Sequence, residues 1–388
     1  MKKSIHATAL SSAFLLAAFT LHATPNTAQA GDFMSLLSNN GAGYDLSDAL
    51  LGEDSSLDIG GWTQFGYSTR STGLFNDQEH SVRNQQTWLY VEKVADGSDG
   101  FDLGFRIDAV YGGDAQDTQA FGNTDGEWDL RDNFNHGDDG FAIPQLYVEA
   151  AHGDLSVKAG HFYTLVGYEV VTAPDNFFMS HAFTMYLSEP FTHTGVVATY
   201  SGFENIEFYG GWTAGWDTGF DQFDGGSSFL GGFSVAPLES VTLTYIATAG
   251  NLGAIGDGYS HSIVVDTAVT DNLNYVLQSD FVTTNVDVLG VEEDYESYGL
   301  NNYLIYSLSD TLGVGARAEW WNANDASYYE VTAGVNYKPL PNLTFRPELR
   351  YQWGDGDEAE SRMVTADNPA GLPIDEGIIF GIDAIVTF

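Results

Sequence analysis

The chain has 388 residues, of which 54 are Asp or Glu, 13 are Lys or Arg and none is Cys, so its formal net charge at pH 7 is −41. Such an acidic chain is unsuited to binding nucleic acid, because that binding needs a basic surface. The lack of cysteine excludes folds that depend on disulfides or on cysteine-ligated metals. A content of 43% hydrophobic and 14% aromatic residues argues against disorder. Abundant glycine and aromatic residues together with few lysines and arginines favour strands over helices.

Residues 1–30 have the features of a secretory signal. Lys2 and Lys3 provide a positive start, residues 7–21 are small and apolar, and Ala28-Gln29-Ala30 is a small-x-small cleavage site. The sequence therefore predicts an exported chain that begins after Ala30.

Beyond this segment, the main signal is hydrophobic alternation with a period of two. Between positions 101 and 111, Phe105 and Ile107 alternate with Arg106 and Asp108. Successive side chains of a strand point to opposite faces, so this run predicts a strand with one apolar and one polar face. The same alternation recurs at 312–321, 343–353 and 378–388.

About sixteen runs of this kind are present, each about ten residues long, which is enough to cross a bilayer core when a strand is tilted. Within one of them, Pro347 lacks the N–H of a ladder hydrogen bond, so we expect a local bulge there. The predicted strands are 57–68, 85–94, 101–112, 143–151, 155–162, 193–200, 205–215, 228–236, 241–250, 259–269, 273–283, 297–307, 312–321, 327–338, 343–353 and 377–388.

The connections between these strands separate by length. Short turns are expected at 95–100, 152–154, 201–204, 237–240, 270–272, 308–311 and 339–342. Long loops are expected at 69–84, 113–142, 163–192, 284–296 and 354–376. An even strand number with alternating short and long connections predicts an all-β, transmembrane, antiparallel up-and-down barrel. The barrel would span residues 57–388. Residues 31–56 would form a periplasmic N-terminal segment with a short helix near 32–38. A soluble sandwich or propeller remains the alternative.

Aromatic residues concentrate near the predicted strand ends, where a membrane barrel carries two girdles. The long-loop girdle would contain Trp320, Trp321, Tyr328, Tyr329, Tyr351 and Trp353, and the short-turn girdle Phe101, Tyr200, Phe203, Tyr337 and Phe388. Ordinary strand-end aromatics are the alternative interpretation.

Several motifs resemble a known family. They are Gln145-Leu146-Tyr147-Val148-Glu149, Ala159-Gly160-His161-Phe162, Gly167-Tyr168-Glu169, Ala173-Pro174-Asp175-Asn176 and Pro190-Phe191-Thr192-His193-Thr194-Gly195. Over 143–200 the chain resembles the OmpL-like β-barrel porin family, and its terminal strand, ending in an aromatic residue, is similar to that of outer-membrane barrels generally. The resemblance implies a porin-like channel of the bacterial outer membrane, in contact with membrane lipid. We expect the channel to pass small hydrophilic solutes or ions and to need no cofactor, and the resemblance to sixteen-stranded porins implies a homotrimer.

A barrel of this size would enclose an aqueous channel, with selectivity set by charges on its inner face. Arginine on the lipid face would cost several kcal/mol, which favours an inward position for the strand cations. The predicted pore-lining residues are Arg106, Asp108, Glu149, Lys158, Arg317, Glu319, Arg346, Glu348, Arg350 and Asp383. Structural ion pairs within the wall, such as Arg317 with Glu319, are the alternative.

The loop at 163–192 contains Phe177, Phe178, Phe183 and Tyr186, and is too apolar for a freely solvated loop. By resemblance to general porins, we expect this third long loop to fold inside the barrel as a constriction. Its acids Glu169, Asp175 and Glu189 would then face Arg106, Lys158, Arg346 and Arg350. Capping of the barrel from outside, or contact with a neighbouring subunit, is the alternative.

Acidic residues are frequent in the other long loops, which predicts a negative mouth and a mild preference for cations. They include Asp132, Asp138, Asp139, Glu292, Glu293, Asp294, Asp355, Asp357 and Glu358. The run 354–358 lacks the spaced ligands of a calcium loop, so no metal site is predicted, although divalent ions bridging these loops to lipid headgroups are an alternative.

Two other function classes remain to be weighed. A barrel enzyme would need a nucleophile and base constellation, and Ser180-His181 with His193 carries no nucleophile signature. A non-conducting receptor or adhesin would need a plugged barrel, and 31–56 is too short for a plug domain. Neither catalytic nor metal-ligating residues are therefore predicted, and a passive channel is the favoured function.

Overall fold

The fold is described from a computed structural model. The structure describes residues 44–52, 55–72, 74–76, 78–120, 134–288, 291–357, 359, 374 and 376–388. The predicted signal segment, the helix expected near 32–38, and the acids Asp132 and Glu358 lie outside the described residues, and the side chains of Glu292 and Glu293 are not described.

Sixteen antiparallel strands form a closed barrel, as the alternation predicted. They are β1 (Asp58–Ser68), β2 (Val82–Lys93), β3 (Phe101–Gly112), β4 (Gly140–His152), β5 (Leu155–Tyr163), β6 (Thr192–Phe203), β7 (Ile206–Thr213), β8 (Ser227–Leu238), β9 (Val241–Asn251), β10 (Asp257–Thr270), β11 (Leu273–Val288), β12 (Val291–Ser309), β13 (Leu312–Ala323), β14 (Ala326–Leu340), β15 (Leu343–Asp355) and β16 (Gly377–Thr387).

Each strand pairs with its sequence neighbours, and β1 pairs with β16 to close the ring, from Trp62 opposite Thr387 to Ser68 opposite Gly381. Closure leaves no unpaired strand edge, so the backbone polar groups of the wall are satisfied within it. Within the described part of the chain, no helix is long and apolar enough to cross a membrane.

Alternation along each strand decides which side chains enter the barrel. Ile107 on β3 is 45% exposed, whereas its neighbour Asp108 is fully buried in the interior. On β15, Leu349 is 52% exposed and Arg350 fully buried. The outer wall is therefore apolar and the inner wall polar, which is the arrangement expected of a wall facing lipid.

One predicted loop is instead part of the sheet. The prediction of a long loop at 284–296 is wrong, because β11 and β12 continue through it and pair from Thr284 opposite Tyr295 to Val288 opposite Val291. The acids in this run weaken the apolar signal, but they do not prevent the backbone ladder from extending the hairpin.

The bulge expected at Pro347 is also absent from that position. Pro347 lies in register with Ile382 of β16, and the register shift between β14 and β15 lies between Tyr337 and Leu340. The pairs Gly334–Glu348 and Tyr337–Phe345 of β14 and β15 lie on either side of Pro347, and the register is the same in both. A strand missing one N–H can thus keep its register when its other neighbour remains paired.

The aromatic girdles are present, with two exceptions. Trp320 and Tyr351 are 37% and 40% exposed on the outer wall near the long loops. At the other rim, Phe203 is 57% exposed and packs on Tyr200, with ring centroids 5.7 Å apart. Trp321 and Tyr328, predicted in the long-loop girdle, point inward instead.

The helices are short. Among the described residues they are α1 (Leu46–Leu51), α2 (Gly113–Thr118) and α3 (Phe183–Leu187), with a 3₁₀ turn at Ala173–Asp175. Asp45 caps α1 through its side chain, and Gly52 ends it with a φ of 87°. Asn342, in the turn before β15, holds both the N–H and the carbonyl of Tyr44, which fixes the N-terminal segment at the short-turn rim.

Candidate functional site

The chain between β5 and β6, residues 164–191, lies inside the barrel and is called the inserted segment. Phe178, Phe183 and Met185 are 3%, 0% and 4% exposed. Phe183 packs against Trp321 of β13, with ring centroids 6.4 Å apart, and Trp321 packs against Tyr328. The two aromatic residues misassigned to the girdle therefore form part of the surface on which this segment rests.

Wall arginines bind the carbonyl groups of the inserted segment. Arg346 Nη1 donates to the carbonyl oxygens of Ala173, Asn176 and Phe178 at 2.7, 2.7 and 2.9 Å. Its Nη2 lies 2.5 Å from Asp383 on β16. Because arginine presents several donors in one plane, a single side chain neutralises a carboxylate and also fixes a turn of backbone.

Two further arginines do the same farther along the segment. Arg317 Nη1 donates to the carbonyl of Ser180 at 2.7 Å and lies 2.7 Å from Glu169. Its Nε lies 2.5 Å from Glu330 on the neighbouring strand β14. Arg350 Nη1 donates to the carbonyl of His181 at 2.5 Å.

Wall carboxylates bind the N–H groups between those carbonyls. Glu348 accepts from the N–H of Met179 at 2.9 Å and from that of Ser180. Glu319 accepts from Phe183 at 2.6 Å and from Thr184 at 2.7 Å, which are the first N–H groups of α3. The first N–H groups of a helix have no partner within the helix, so Glu319 supplies the acceptor that α3 lacks.

Glycines of the wall make room for the side chains of the segment. A Cβ added at Gly315 of β13 would lie 2.5 Å from the ring of Phe177, and one at Gly334 of β14 would lie 3.1 Å from the ring of Phe178. These glycines therefore allow the rings of the inserted segment to approach the wall closely.

The ion pairs differ from those expected from sequence. Glu169 pairs with Arg317 and not with the expected cations, and Arg317 pairs with Glu330 rather than with Glu319. Arg317 and Glu319 lie on the same strand β13, but Glu319 instead accepts from the N–H groups of Phe183 and Thr184. Glu330, on the adjacent strand β14, is the wall acid that Arg317 contacts.

The other two segment acids are also directed elsewhere. Asp175 accepts from the hydroxyl of Thr172 at 2.6 Å. Glu189 accepts from the side-chain amide of Gln278, which donates at 2.8 Å to Asp280 as well. The predicted opposition of Glu169, Asp175 and Glu189 to four named wall cations is thus not the arrangement found.

At the level of the inserted segment, the interior is closely filled. An inward-facing side chain is buried on every one of the sixteen strands. Taken from β1 to β16, they are Gln64, Gln86, Asp108, Gln145, Phe162, Val197, Thr213, Leu230, Thr248, Ser260, Gln278, Asn301, Arg317, Glu330, Arg350 and Asp383.

Closer to the short turns, charged side chains of β2 to β5 remain partly accessible. We call Tyr90, Glu92, Arg106, Tyr147, Glu149 and Lys158 the vestibule patch. Arg106 and Glu92, 20% and 21% exposed, pair at 3.0 Å, and Arg106 Nε lies 2.7 Å from Asp108. Arg106 stacks over the ring of Tyr90, and Lys158 Nζ lies 4.2 Å from the ring centroid of Tyr147.

Sequence reasoning missed the polar contacts on β1 and β2. Gln86 donates to the carbonyl of Val171 at 2.8 Å and accepts from the N–H of Ala173 at 3.1 Å. Trp62 and Trp88 stack in the interior with ring centroids 4.7 Å apart. Their positions in the alternation place all of them on the inner face, which is the signal that could have identified them.

A second loop, between β7 and β8, holds the end of the inserted segment. The Asp217 carboxylate accepts from the N–H groups of Phe191 and Thr192 at 2.7 and 2.8 Å. Burial raises the pKa of Asp217 to about 6, although these hydrogen bonds act in the opposite direction. We call this contact the Asp217 latch.

Residues 54–388 match the family described as "Putative beta-barrel porin-2, OmpL-like". The chain belongs to this family. The match covers the whole barrel, and with the closed fold it assigns the chain to the porins of the bacterial outer membrane. No curated protein sequence matches the chain.

Solved porin structures share the fold at low sequence identity. An outer-membrane channel, DcaP of Acinetobacter baumannii, has a TM-score of 0.57 and 10% identity, over 86% of this chain and 97% of that one. An anion-selective porin from Comamonas acidovorans has a TM-score of 0.56 and 11% identity, over 86% and 99%. OmpT of Vibrio cholerae, in a trimer form, has a TM-score of 0.54 and 13% identity, over 86% and 99%.

Proposed function

We propose that this porin is a passive diffusion channel for small hydrophilic solutes or ions, narrowed by the inserted segment. The observation that carries the proposal is that the inserted segment packs inside a closed sixteen-stranded barrel, where Phe178, Phe183 and Met185 are buried. A barrel of this strand number would otherwise enclose a wide aqueous lumen.

The anchoring of the segment supports a fixed constriction. Its carbonyl groups are bound by Arg317, Arg346 and Arg350 and its N–H groups by Glu319 and Glu348. Because these charges are neutralised by partners and main chain, they contribute little field to the path. Size would then be selected by the segment, and charge by groups elsewhere in the lumen.

The proposal is tested by deleting residues 177–186 and measuring single-channel conductance in planar bilayers. We expect a clear increase, because the deletion removes Phe177, Phe178 and α3 from the interior. An unchanged conductance would contradict a constriction. Deletion of residues 219–224, from the loop after β7, is the control, and heat-modifiable migration on a denaturing gel checks that each barrel is folded.

A second candidate is a non-conducting receptor or adhesin. The burial of inward side chains on every strand favours it, since a filled interior passes no steady current. The same experiment separates the two: a silent wild-type barrel whose deletion variant conducts would identify the inserted segment as a plug.

A catalytic role for Ser180 and His181 has less support. Ser180 Oγ accepts from Arg317 at 3.0 Å, and its N–H is bound by Glu348. His181 Nδ1 lies 3.4 Å from Glu169. Ser180 thus holds the inserted segment against the wall, whereas the His181 side chain contacts another residue of the same segment and only its carbonyl is bound by a wall residue, Arg350.

We also propose a homotrimer, on the likeness to the trimeric OmpT structure. Chemical cross-linking of the barrel in detergent, followed by gel electrophoresis, tests it, and a product no larger than one chain would contradict it.

A further inference from the structure

The charges of the barrel interior fall into two groups. The first group is almost fully buried and consists of Arg317, Arg346 and Arg350. Each of these arginines binds a carboxylate or an amide of the wall and also a main-chain carbonyl. The vestibule patch, by contrast, lies on β2 to β5 toward the short turns, where no part of the inserted segment is seen to bond to its charges. A solute in this part of the lumen would meet the patch first.

Within the vestibule patch, two of the four charged residues, Arg106 and Glu92, already have charged partners. Arg106 is held by Glu92 and Asp108. Asp108 also accepts from the indole N–H of Trp88 at 3.0 Å and from Gln145 at 3.1 Å. These groups are neutralised as a set and are poorly available to a passing solute.

Lys158 and Glu149 are the exception. They stand directly opposite each other on β5 and β4. Among the described residues, neither takes part in an ion pair or a side-chain hydrogen bond. The lysine ammonium instead rests over the ring of Tyr147, 4.2 Å from its centroid, so the ring competes with Glu149 for the ammonium.

Tyr147 is itself fixed in place. It lies opposite Arg106 of β3 in the register, is 8% exposed, and donates its hydroxyl hydrogen to Glu92 at 3.4 Å. The aromatic face that holds Lys158 away from Glu149 is therefore a built feature of the wall.

We propose that Lys158 and Glu149 form a recognition site for zwitterionic solutes, in which Lys158 binds a carboxylate and Glu149 an ammonium group. The inference rests on the proposed channel function and names the solute class that the channel favours. Facing side chains on adjacent strands have Cβ atoms only about 5 Å apart, which suits the two charged groups of an amino acid. A simple anion bound to Lys158 would be repelled by Glu149, and a simple cation bound to Glu149 would be repelled by Lys158. A neutral solute would gain neither charged contact.

The test compares the entry of glycine with that of glycolamide, its uncharged isomer, by swelling of liposomes that contain the full-length barrel at neutral pH. For the wild-type barrel we expect glycine to enter the liposomes faster than glycolamide does. Lys158→Gln and Glu149→Gln should each lower the glycine-to-glycolamide ratio by about threefold to tenfold, the effect of one partly screened charge contact. The rate for glycolamide should stay unchanged.

Lys338→Gln is the matched control, because Lys338 is exposed at the short-turn end of β14 and the substitution removes the same charge. Its ratio should equal that of wild type. If Lys158→Gln fails to fold, Lys158→Met replaces it with a side chain that still packs on Tyr147.

The outcomes are distinct. An unchanged ratio in both variants, with glycolamide still entering, overturns the recognition site and leaves the channel intact. A lowered glycine-to-glycolamide ratio in only one of the two variants also overturns the recognition site, since it would show that a single charge acts alone. Liposomes impermeable to both solutes would contradict the proposed channel itself.

Discussion

At the scale of single residues, Arg346 shows how a charge can be kept in the interior of this barrel. The side chain is 2% exposed and meets Asp383 together with three main-chain carbonyls, so its donors are used. A buried ion pair gains little net stability, but removing one partner leaves the other charge buried and unpaired. The three carbonyl contacts of Arg346 therefore fix the inserted segment, whereas its pair with Asp383 neutralises the buried charge.

Arg346→Ala should lower the free energy of unfolding by about 3 to 5 kcal/mol, because Asp383 would be left unpaired. Urea unfolding in detergent micelles measures the change. The control is Arg83→Ala, which breaks an exposed pair with Asp138 and should cost about 0 to 1 kcal/mol. A loss below about 1 kcal/mol in Arg346→Ala would contradict the anchoring role.

At the scale of elements, the inserted segment is held by its main chain as well as by its side chains. Wall arginines and glutamates bind its carbonyl and N–H groups, and the Asp217 latch fixes the point where it returns to β6. Apart from α3 and one 3₁₀ turn, this segment has no regular secondary structure and carries many backbone groups unpaired within it, so it can be buried only where partners of this kind exist.

The Asp217 latch should make stability depend on pH. Its folded pKa of about 6 is above the ordinary value of 3.8, so the folded state binds the proton more tightly. The contribution is fully present below the ordinary value and is lost as pH rises through about 6. The shift corresponds to at most about 3 kcal/mol, and screening of this half-buried group reduces it to about 1 to 2 kcal/mol.

Asp217→Asn keeps a carbonyl oxygen for the two N–H groups and removes the titration. Relative to this variant, the wild type should lose about 1 to 2 kcal/mol between pH about 4 and pH about 7. Thermal unfolding at both pH values measures the difference, and Asp221→Asn, an exposed position in the same loop, should follow the wild type. Parallel pH profiles for wild type and Asp217→Asn would refute the latch.

At the scale of the whole molecule, the charge is strongly negative and unevenly placed. The net charge is −41, and Asp294, Asp355 and Asp357 are exposed near the long-loop rim. Interior arginines are neutralised by their partners, so the field that a solute first meets is that of the rim. A negative rim concentrates cations at the entrance.

The channel should therefore show a mild preference for cations. Under a potassium chloride gradient, we expect a reversal potential that shows preference for potassium over chloride. This preference should weaken as ionic strength rises, because the screening length is only about 10 Å at 0.1 M salt. The combined variant Asp294→Asn, Asp355→Asn and Asp357→Asn should reduce it. A reversal potential that favours chloride in the wild type would contradict the prediction.

Much of the wall could be predicted from sequence, because each strand carries its own alternation. The pattern of Phe105 to Asp108 assigned β3 and its faces without knowledge of any neighbour. Where acids diluted the pattern, as at 284–296, the two flanking strands were predicted but their extension into this run was missed.

The sequence by itself determined the sixteen strands and the inward position of the charged residues, because both follow from a local period of two. The partners of those charges were decided by the tertiary structure alone. Arg317 could pair with any inward acid within reach. The pairing of β13 with β14 brings Glu330 to it, and the path of the inserted segment brings Glu169, whereas Lys158 rests on Tyr147 and stays apart from Glu149. Local alternation fixes a side chain's direction, whereas its neighbours across the lumen depend on contacts between residues far apart in the chain.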